Sequence, residues 1–244
     1  MIKKLEFNNI IFNNFDKIKF NKIIKKKSYY TFPSGPGIAS INSSKEYYNS
    51  LRNANYVFFD SGFFVLLLRI FKNVKVSKFS GYEFLFVFLD FLKLNKNKSI
   101  FCIDPNINNS KSNKKFLKKL GLKKIYSYIA PKYNLKNLSD KKLIKQINKT
   151  KPDFVLTNIG GGIQEILAFE LNKKLKRKTL ILCTGGAISF FTGNQAPINS
   201  FIDKFHLGWF VRIIFNPFIF TKRYFYALKL IPMVLFNTIK IINE

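Results

Sequence analysis

Histidine, cysteine and acidic residues are scarce in this chain, and each shortage excludes something. One histidine (His206) and two cysteines (Cys102, Cys183) stand among 244 residues, too few for a standard zinc site. Each cysteine lies in or just after an apolar run that reads as a buried strand, which predicts two core thiols rather than a disulfide and fits a reducing compartment. Only 13 acidic residues face 42 basic ones, a net charge of +29, and just five of the basic residues are arginine. The N-terminus has no long apolar stretch of the kind a signal peptide needs. No run reaches the roughly 20 apolar residues of a membrane span. The strongest apolar run, Phe63 to Leu68, is bracketed by Asp60 and Arg69 and reads as a buried core helix.

Hydrophobic residues make up 47% of the chain, enough to build a core without cross-links. The length suits one domain, or one domain with an appendage. The positive charge suits an anionic partner: nucleic acid, anionic lipid or phosphorylated substrates. The charge is mostly lysine, is spread along the chain, and equally fits a solvated basic surface. No nucleic-acid motif accompanies it, and GxGxxG is missing after the first strand. These absences argue against a non-catalytic nucleic-acid-binding protein and against a dinucleotide enzyme.

From Gly35 onward short apolar runs alternate with helical patterns. A strand or hairpin is expected in the basic first thirty residues, and a strand over Gly37–Ile41. A helix follows with Ser43 and Glu46 at capping-box spacing. Further strands are expected at 56–59, 99–103, 124–128, 153–158 and 179–183, with helices from about Phe63, Tyr82, Asn113, Ser139 and Gln164. This rhythm predicts an α/β fold: a single Rossmann-like domain, mostly parallel sheet flanked by helices, over residues 1–200. Residues 201–244 read as a helical appendage facing the membrane. Its stretches Phe205–Phe215 and Phe218–Ile242 are aromatic, dotted with lysine, and contain no further strand. Such a segment suits the lipid interface, with lysines at headgroup level.

Ligands bind at the carboxyl ends of strands in such sheets, where Asn42, Asp60, Gln164 and Gly185-Gly186 are expected. Asp60 ends a strand before Ser61-Gly62. It suits a general base or the N-cap of the next helix, and the pattern by itself favours the cap. Gly160-Gly161-Gly162 and Thr184-Gly185-Gly186 each join a strand to a helix. They suit either a cradle of backbone N–H groups for a diphosphate or plain turns. Arg212, Lys222 and Arg223 suit phosphates or lipid headgroups. His206, in an aromatic setting, reads as a packing residue.

Six segments, in order, resemble one family, the WecG/TagA/CpsF bacterial glycosyltransferases. They are Ser40-Ile41-Asn42; Tyr56 to Gly62; Lys78-Phe79-Ser80-Gly81-Tyr82-Glu83; Pro152 to Glu165; Gly185 to Phe190 with Gly193 and Ala196-Pro197; and Gly208-Trp209 to Arg212 with Asn216-Pro217 and Lys222-Arg223-Tyr224. The resemblance implies an inverting sugar transfer with no metal and no other cofactor. It implies a UDP-sugar donor, such as one carrying N-acetylmannosamine or a related hexose, and a polyprenyl-diphosphate-linked sugar acceptor. It also implies a peripheral position at the anionic cytoplasmic face of the membrane, with no nucleic acid as partner and homo-oligomerisation left open. By the same resemblance Asp60 is the base, and Ser40, Asn42, Lys78 and Gln164 line the acceptor side. Gly161, Gly162, Gln164, Gly185, Gly186, Arg212, Lys222 and Arg223 hold the donor diphosphate. The chain departs from the family pattern at Ser61, Ile163, Lys78, Lys222 and Gly208.

Overall fold

A computed structural model describes residues 2–15, 20–134, 138–193, 221–222 and 225–242. Nine strands form one sheet in the order β6-β5-β7-β8-β3-β4-β2-β1-β9. They are β1 (Lys4–Phe7), β2 (Ile10–Asn13), β3 (Tyr29–Thr31), β4 (Tyr56–Phe58), β5 (Ser99–Asp104), β6 (Lys124–Ile129), β7 (Phe154–Thr157), β8 (Leu180–Cys183) and β9 (Ile239–Ile242). The seven from β6 to β2 are parallel to their neighbours. Only β1 runs antiparallel, paired to β2 and β9. Every residue of β5, β7 and β8 is buried, as expected of parallel strands covered on both faces. Their near-continuous apolar runs are what made them legible.

Helices cover both faces. On one lie α3 (Lys45–Arg52), α4 (Gly62–Lys72), α7 (Lys141–Thr150), α8 (Ile163–Lys174) and α10 (Leu230–Phe236). The other carries α1 (Phe20–Ile23), α5 (Gly81–Leu94), α6 (Ile107–Lys119) and α9 (Ile188–Thr192), packed through a phenylalanine-rich core that includes Phe58, Phe84 and Phe88. The chain leaves β3 toward the first face and β8 toward the second. Neighbouring parallel strands whose connections diverge open a crevice at their carboxyl ends, and this pair sits mid-sheet. Cys102 and Cys183 are both free and buried.

Four expectations are corrected. Gly37–Ile41 is not a strand: a short helix, α2 (Gly35–Ala39), carries Pro36 in its first turn, and a 3-10 turn follows at Ile41–Ser43. Proline fixes φ at a helical value and its missing N–H costs nothing in a first turn. A side chain at Gly37 would also meet the Tyr47 hydroxyl, 2.7 Å from an added Cβ. The cap of α3 is Ser44, whose hydroxyl accepts from the Tyr47 N–H at 3.2 Å, not Ser43.

The tail also differs. Residues 239–242 are a strand, with Leu5 opposite Ile241 and Glu6 opposite Lys240 in the ladder. Three isoleucines in four positions favour a pleated edge over a helix, and α10 ends at Asn237 in extended backbone. The expected helix over Phe205–Phe215 lies outside the described residues. Finally, α4 is only half a core helix: Phe64, Leu67 and Leu68 are buried, but Leu66, Ile70 and Phe71 are exposed. Among the described residues no helix is long and apolar enough to cross a membrane.

Candidate functional site

The carboxyl ends of β3, β4, β7 and β8 bring four loops together. Asp60 lies two residues past β4 and is half-buried. It does not cap α4. That position belongs to Ser61, whose hydroxyl accepts from the Phe64 N–H at 3.2 Å. The Asp60 carboxylate turns instead to the start of α5, where Oδ1 accepts from the Gly81 N–H at 2.9 Å. The segment before α5 is bound to the same loop, because the Phe79 N–H donates to the Phe59 carbonyl at 2.9 Å. Lys78 therefore precedes a segment laid alongside the Asp60 loop. A full capping box between Ser80 and Glu83 fixes the start of α5.

Gln164 joins the two glycine turns. Its Oε1 accepts from the Gly185 N–H at 2.8 Å and from the Thr157 hydroxyl at 3.3 Å. Its Nε2 donates to Glu165 Oε1 at 2.9 Å. Gly185 holds φ +58, so a side chain there would be strained, although a Cβ would meet Gln164 Nε2 at an ordinary contact distance of 3.5 Å. Glu165 occupies the third position of α8 and reaches back, its Oε2 accepting from the Gly162 N–H at 2.6 Å. Gly162 makes this bond with φ +90, a conformation open to glycine.

Glu165 is 1% exposed, and burial pushes its carboxyl up to about 7. The N–H and amide donors pull the other way, and the nearby charge of Asp60 adds to the rise. Two carboxylates from different loops therefore share one electrostatic neighbourhood. On the second face, a Cβ at Gly81 would lie 3.4 Å from the Thr184 carbonyl. Asp60, Gly81, Thr184-Gly185, Gln164-Glu165 and Gly162 thus form one connected set.

The expected cradle is changed by this set. The N–H groups of Gly162 and Gly185 point inward, to Glu165 and Gln164. In the first turn Gly160 and Gly161 are exposed and Gly162 is half-buried; in the second Gly186 is half-buried and Gly185 buried. Gln164 is itself buried with three hydrogen bonds, so its first task is to lock the loops together.

Of the residues expected on the acceptor side, Ser40 is the C-cap of α2 and Asn42 lies in the 3-10 turn, neither at a strand end. The Ser40 hydroxyl donates to the Gly37 carbonyl at 2.7 Å, and Asn42 is exposed. Their segment abuts the site through Gly35, where a Cβ would come within 2.9 Å of Ser61 Oγ and 3.6 Å of Ala227. The Ser43 and Tyr226 hydroxyls stand 3.3 Å apart, so the tail packs beside the Asp60 loop. Lys222 is exposed. Arg212, Arg223 and His206 lie outside the described residues.

Sequence reasoning named Glu165 only as part of a motif and read Asp104 only as a turn. Asp104 is fully buried at the end of β5, where the side-chain amides of Asn113 and Asn158 each donate to its Oδ1 at 2.7 Å. Burial raises its carboxyl and these amides hold it back. Asn158 opens the loop to Gly160–Gly162, so the cluster anchors one glycine turn. The only local sign in the sequence was a carboxylate closing an apolar strand.

Removing Gln164 tests the lock. Gln164→Ala leaves the Gly185 N–H and Glu165 Oε1 buried without these partners. The expected loss is about 2 kcal/mol of unfolding free energy, given that orphaning a buried donor or acceptor costs about 1–3 kcal/mol. Urea denaturation checks it, and an unchanged midpoint would show that the loops do not depend on this side chain.

The sequence profile of the glycosyl transferase WecG/TagA/CpsF family matches residues 5–242. Among characterised proteins, the chain is similar to the N-acetylglucosaminyldiphosphoundecaprenol N-acetyl-beta-D-mannosaminyltransferase of Bacillus subtilis (strain 168). The two are 26% identical over 211 residues, covering 79% of this chain and 76% of the relative.

Proposed function

The chain belongs to the WecG/TagA/CpsF family of glycosyltransferases, and from that premise we propose a specific reaction. It moves a hexose or N-acetylhexosamine, such as N-acetylmannosamine, from a UDP-sugar to a sugar carried on a polyprenyl diphosphate. The product feeds surface polysaccharide. The relative's name specifies an N-acetylmannosaminyl transfer to such a lipid-linked N-acetylglucosamine.

Asp60 takes the proton from the acceptor hydroxyl as that oxygen attacks the anomeric carbon. The bond to the UDP oxygen breaks on the opposite side, and its electron pair leaves with the diphosphate. The anomeric configuration inverts. Gly161 and Gly186, at the mouths of the two glycine turns, hold the diphosphate together with Gly162, Gly185 and Gln164 behind them. Arg212, Lys222 and Arg223 supply the positive charge that a metal-free departure requires. Ser40, Asn42 and Lys78 line the acceptor side, toward the tail. The protein works as a peripheral enzyme on the anionic cytoplasmic face, with the tail at headgroup level.

The observation that carries this reading is the bond from the Gly81 N–H to Asp60, with Gly81 lying against Thr184 at the second glycine turn, while the Gln164–Glu165 pair ties that turn to the first. The test is transfer from a panel of UDP-sugars to polyprenyl-diphosphate-linked N-acetylglucosamine in the presence of a chelator, with the product's anomeric configuration read by NMR. The expected product is an inverted glycoside formed at an undiminished rate. Retained configuration, or activity abolished by the chelator, would overturn the mechanism.

A further inference from the structure

At the foot of the first glycine turn lies a buried polar cluster that the transfer reaction does not use. Asp104 closes β5 and is fully buried. Asn113 comes from α6 and Asn158 from the loop after β7, at 1% and 5% exposure. Each donates its amide to Asp104 Oδ1 at 2.7 Å. One oxygen on each of the three side chains is left over. Asp104 Oδ2, Asn113 Oδ1 and Asn158 Oδ1 are buried and accept no hydrogen bond from the protein. An amide's nitrogen and oxygen are about 2.3 Å apart, so both leftover amide oxygens stand within roughly 5 Å of Asp104 Oδ1. The Ser110 hydroxyl, one turn before Asn113 on α6, also reaches this carboxyl.

The cluster is rich in acceptors and poor in hydrogens. Burying polar oxygens without partners is costly, and an uncompensated carboxylate costs most. None of the ion pairs among the described residues involves Asp104, although the chain carries 42 basic residues. One water gives two hydrogens to three oxygens and leaves the charge uncompensated. One cation meets the oxygens and the charge together. Its type follows from the ligands. Amide, hydroxyl and carboxylate oxygens are hard donors. Cys102, two residues earlier on β5, offers no thiolate, because burial pushes its thiol well up. The described residues contain no group of three acidic, histidine or cysteine side chains, as a transition metal would call for. A single carboxylate balances one positive charge, and a divalent ion would leave an excess charge buried. Oxygens held by one ion at about 2.4 Å stand up to about 4.8 Å apart, within the spread set by the two amide bonds.

We propose that Asp104, Asn113 and Asn158, with Ser110, bind a monovalent cation of the sodium and potassium class, and that this ion fixes the first glycine turn. Asn158 carries the turn. Its N–H donates to the Ile103 carbonyl at 2.8 Å, and Gly160 follows two residues on. The first turn of α6 also reaches α9, beyond the second glycine turn, through Asn109 Nδ2 and Ser189 Oγ at 3.5 Å. The ion therefore holds the end of β5, α6 and the β7 loop in one arrangement. Its ligands are closed off from solvent, so its part is structural and the departing diphosphate is left to the groups named above. The consequence for donor binding rests on the function proposed above; the ion site does not.

The test uses the full chain, exchanged into choline chloride and titrated with sodium or potassium chloride at constant ionic strength. The melting temperature should rise and level off, by about 3–6 °C at ten times the dissociation constant. Asp104→Asn should flatten this response. Asn113→Asp, which keeps an oxygen ligand and adds a charge, should melt lower in choline and respond to calcium, to which wild type does not. Wild-type crystals soaked in thallium acetate decide the matter even where a variant fails to fold. An anomalous peak is expected between Asp104 Oδ2 and the amide oxygens of Asn113 and Asn158. KM for the UDP-sugar should be about tenfold higher in choline than in sodium, with kcat little changed. Equal melting in choline, sodium and potassium would overturn the proposal. So would a rise that Asp104→Asn retains, the mark of general screening in a chain of net charge +29, or thallium-soaked crystals with water alone in the cluster. A cation response without transfer from any UDP-sugar would sink the proposed reaction and leave the ion site standing.

Discussion

Asp60→Asn is expected to lower sugar transfer by about 10²–10⁴-fold, the range a positioned general base contributes. Asparagine keeps the shape and a carbonyl oxygen that can still accept from the Gly81 N–H, a bond the carboxylate makes at 2.9 Å. The loop and the start of α5 therefore stay in place, and the loss falls on proton transfer. The expected split is a fall in kcat with KM for the donor little changed, because the donor's diphosphate is held by other loops. A second readout is independent of turnover. The charge of Asp60 is one cause of the raised Glu165 carboxyl, so neutralising it should move that carboxyl back toward its ordinary value, visible in carbon-detected NMR. Full activity in Asp60→Asn would remove Asp60 as base. An unmoved Glu165 titration would separate the two carboxylates.

How far the sequence could be read depends on what kind of signal each feature leaves. Strands β5, β7 and β8 are buried throughout and announce themselves as apolar runs ending in glycine or a carboxylate. The three-residue β3 follows Lys25-Lys26-Lys27, and a run that short has no period to detect. Gly37–Ile41 has a strand's composition, yet Pro36 and the contact with Tyr47 make it a helix. β9 closes the sheet only because β1 offers an edge at the other end of the chain, a long-range fact that no local window contains. At the site, the glycine turns and Asp60 stood out as residue types at strand ends. Ruling out the cap for Asp60 needed coordinates, because Ser61 takes that position and the partner of Asp60 lies 21 residues away. Glu165 and Asp104 were missed for the same reason. What marks them is burial together with partners from other strands, and neither is visible in sequence spacing.

Glu165 carries the second large expectation, one of stability against pH. Its folded carboxyl titrates at about 7, against an ordinary 4.5. A carboxyl raised by folding favours the folded state most where it is protonated in both states, below about 4.5. The advantage is lost as pH rises toward 7, because the unfolded chain ionises first and the folded chain must then bury the charge. The size of the shift corresponds to about 3 kcal/mol. Wild-type protein should therefore lose about that much unfolding free energy between pH 4.5 and pH 8 on account of this one group. Glu165→Gln removes that part of the slope. The variant should be weaker than wild type at acid pH, because a glutamine NH2 would face one of two donors, the Gly162 N–H or Gln164 Nε2, where the hydroxyl oxygen of a protonated carboxyl can still accept. The two curves should converge or cross as pH rises. Urea unfolding across this range decides it, and parallel curves would show that Glu165 has no raised carboxyl in the folded protein. Asp104, also raised by burial, adds a slope of the same sign to both proteins and cancels in the comparison. A buried charge kept at such a cost holds Gln164 and Gly162 in one arrangement beside Asp60. Glu165→Gln should accordingly slow transfer even at the pH where it no longer lowers stability.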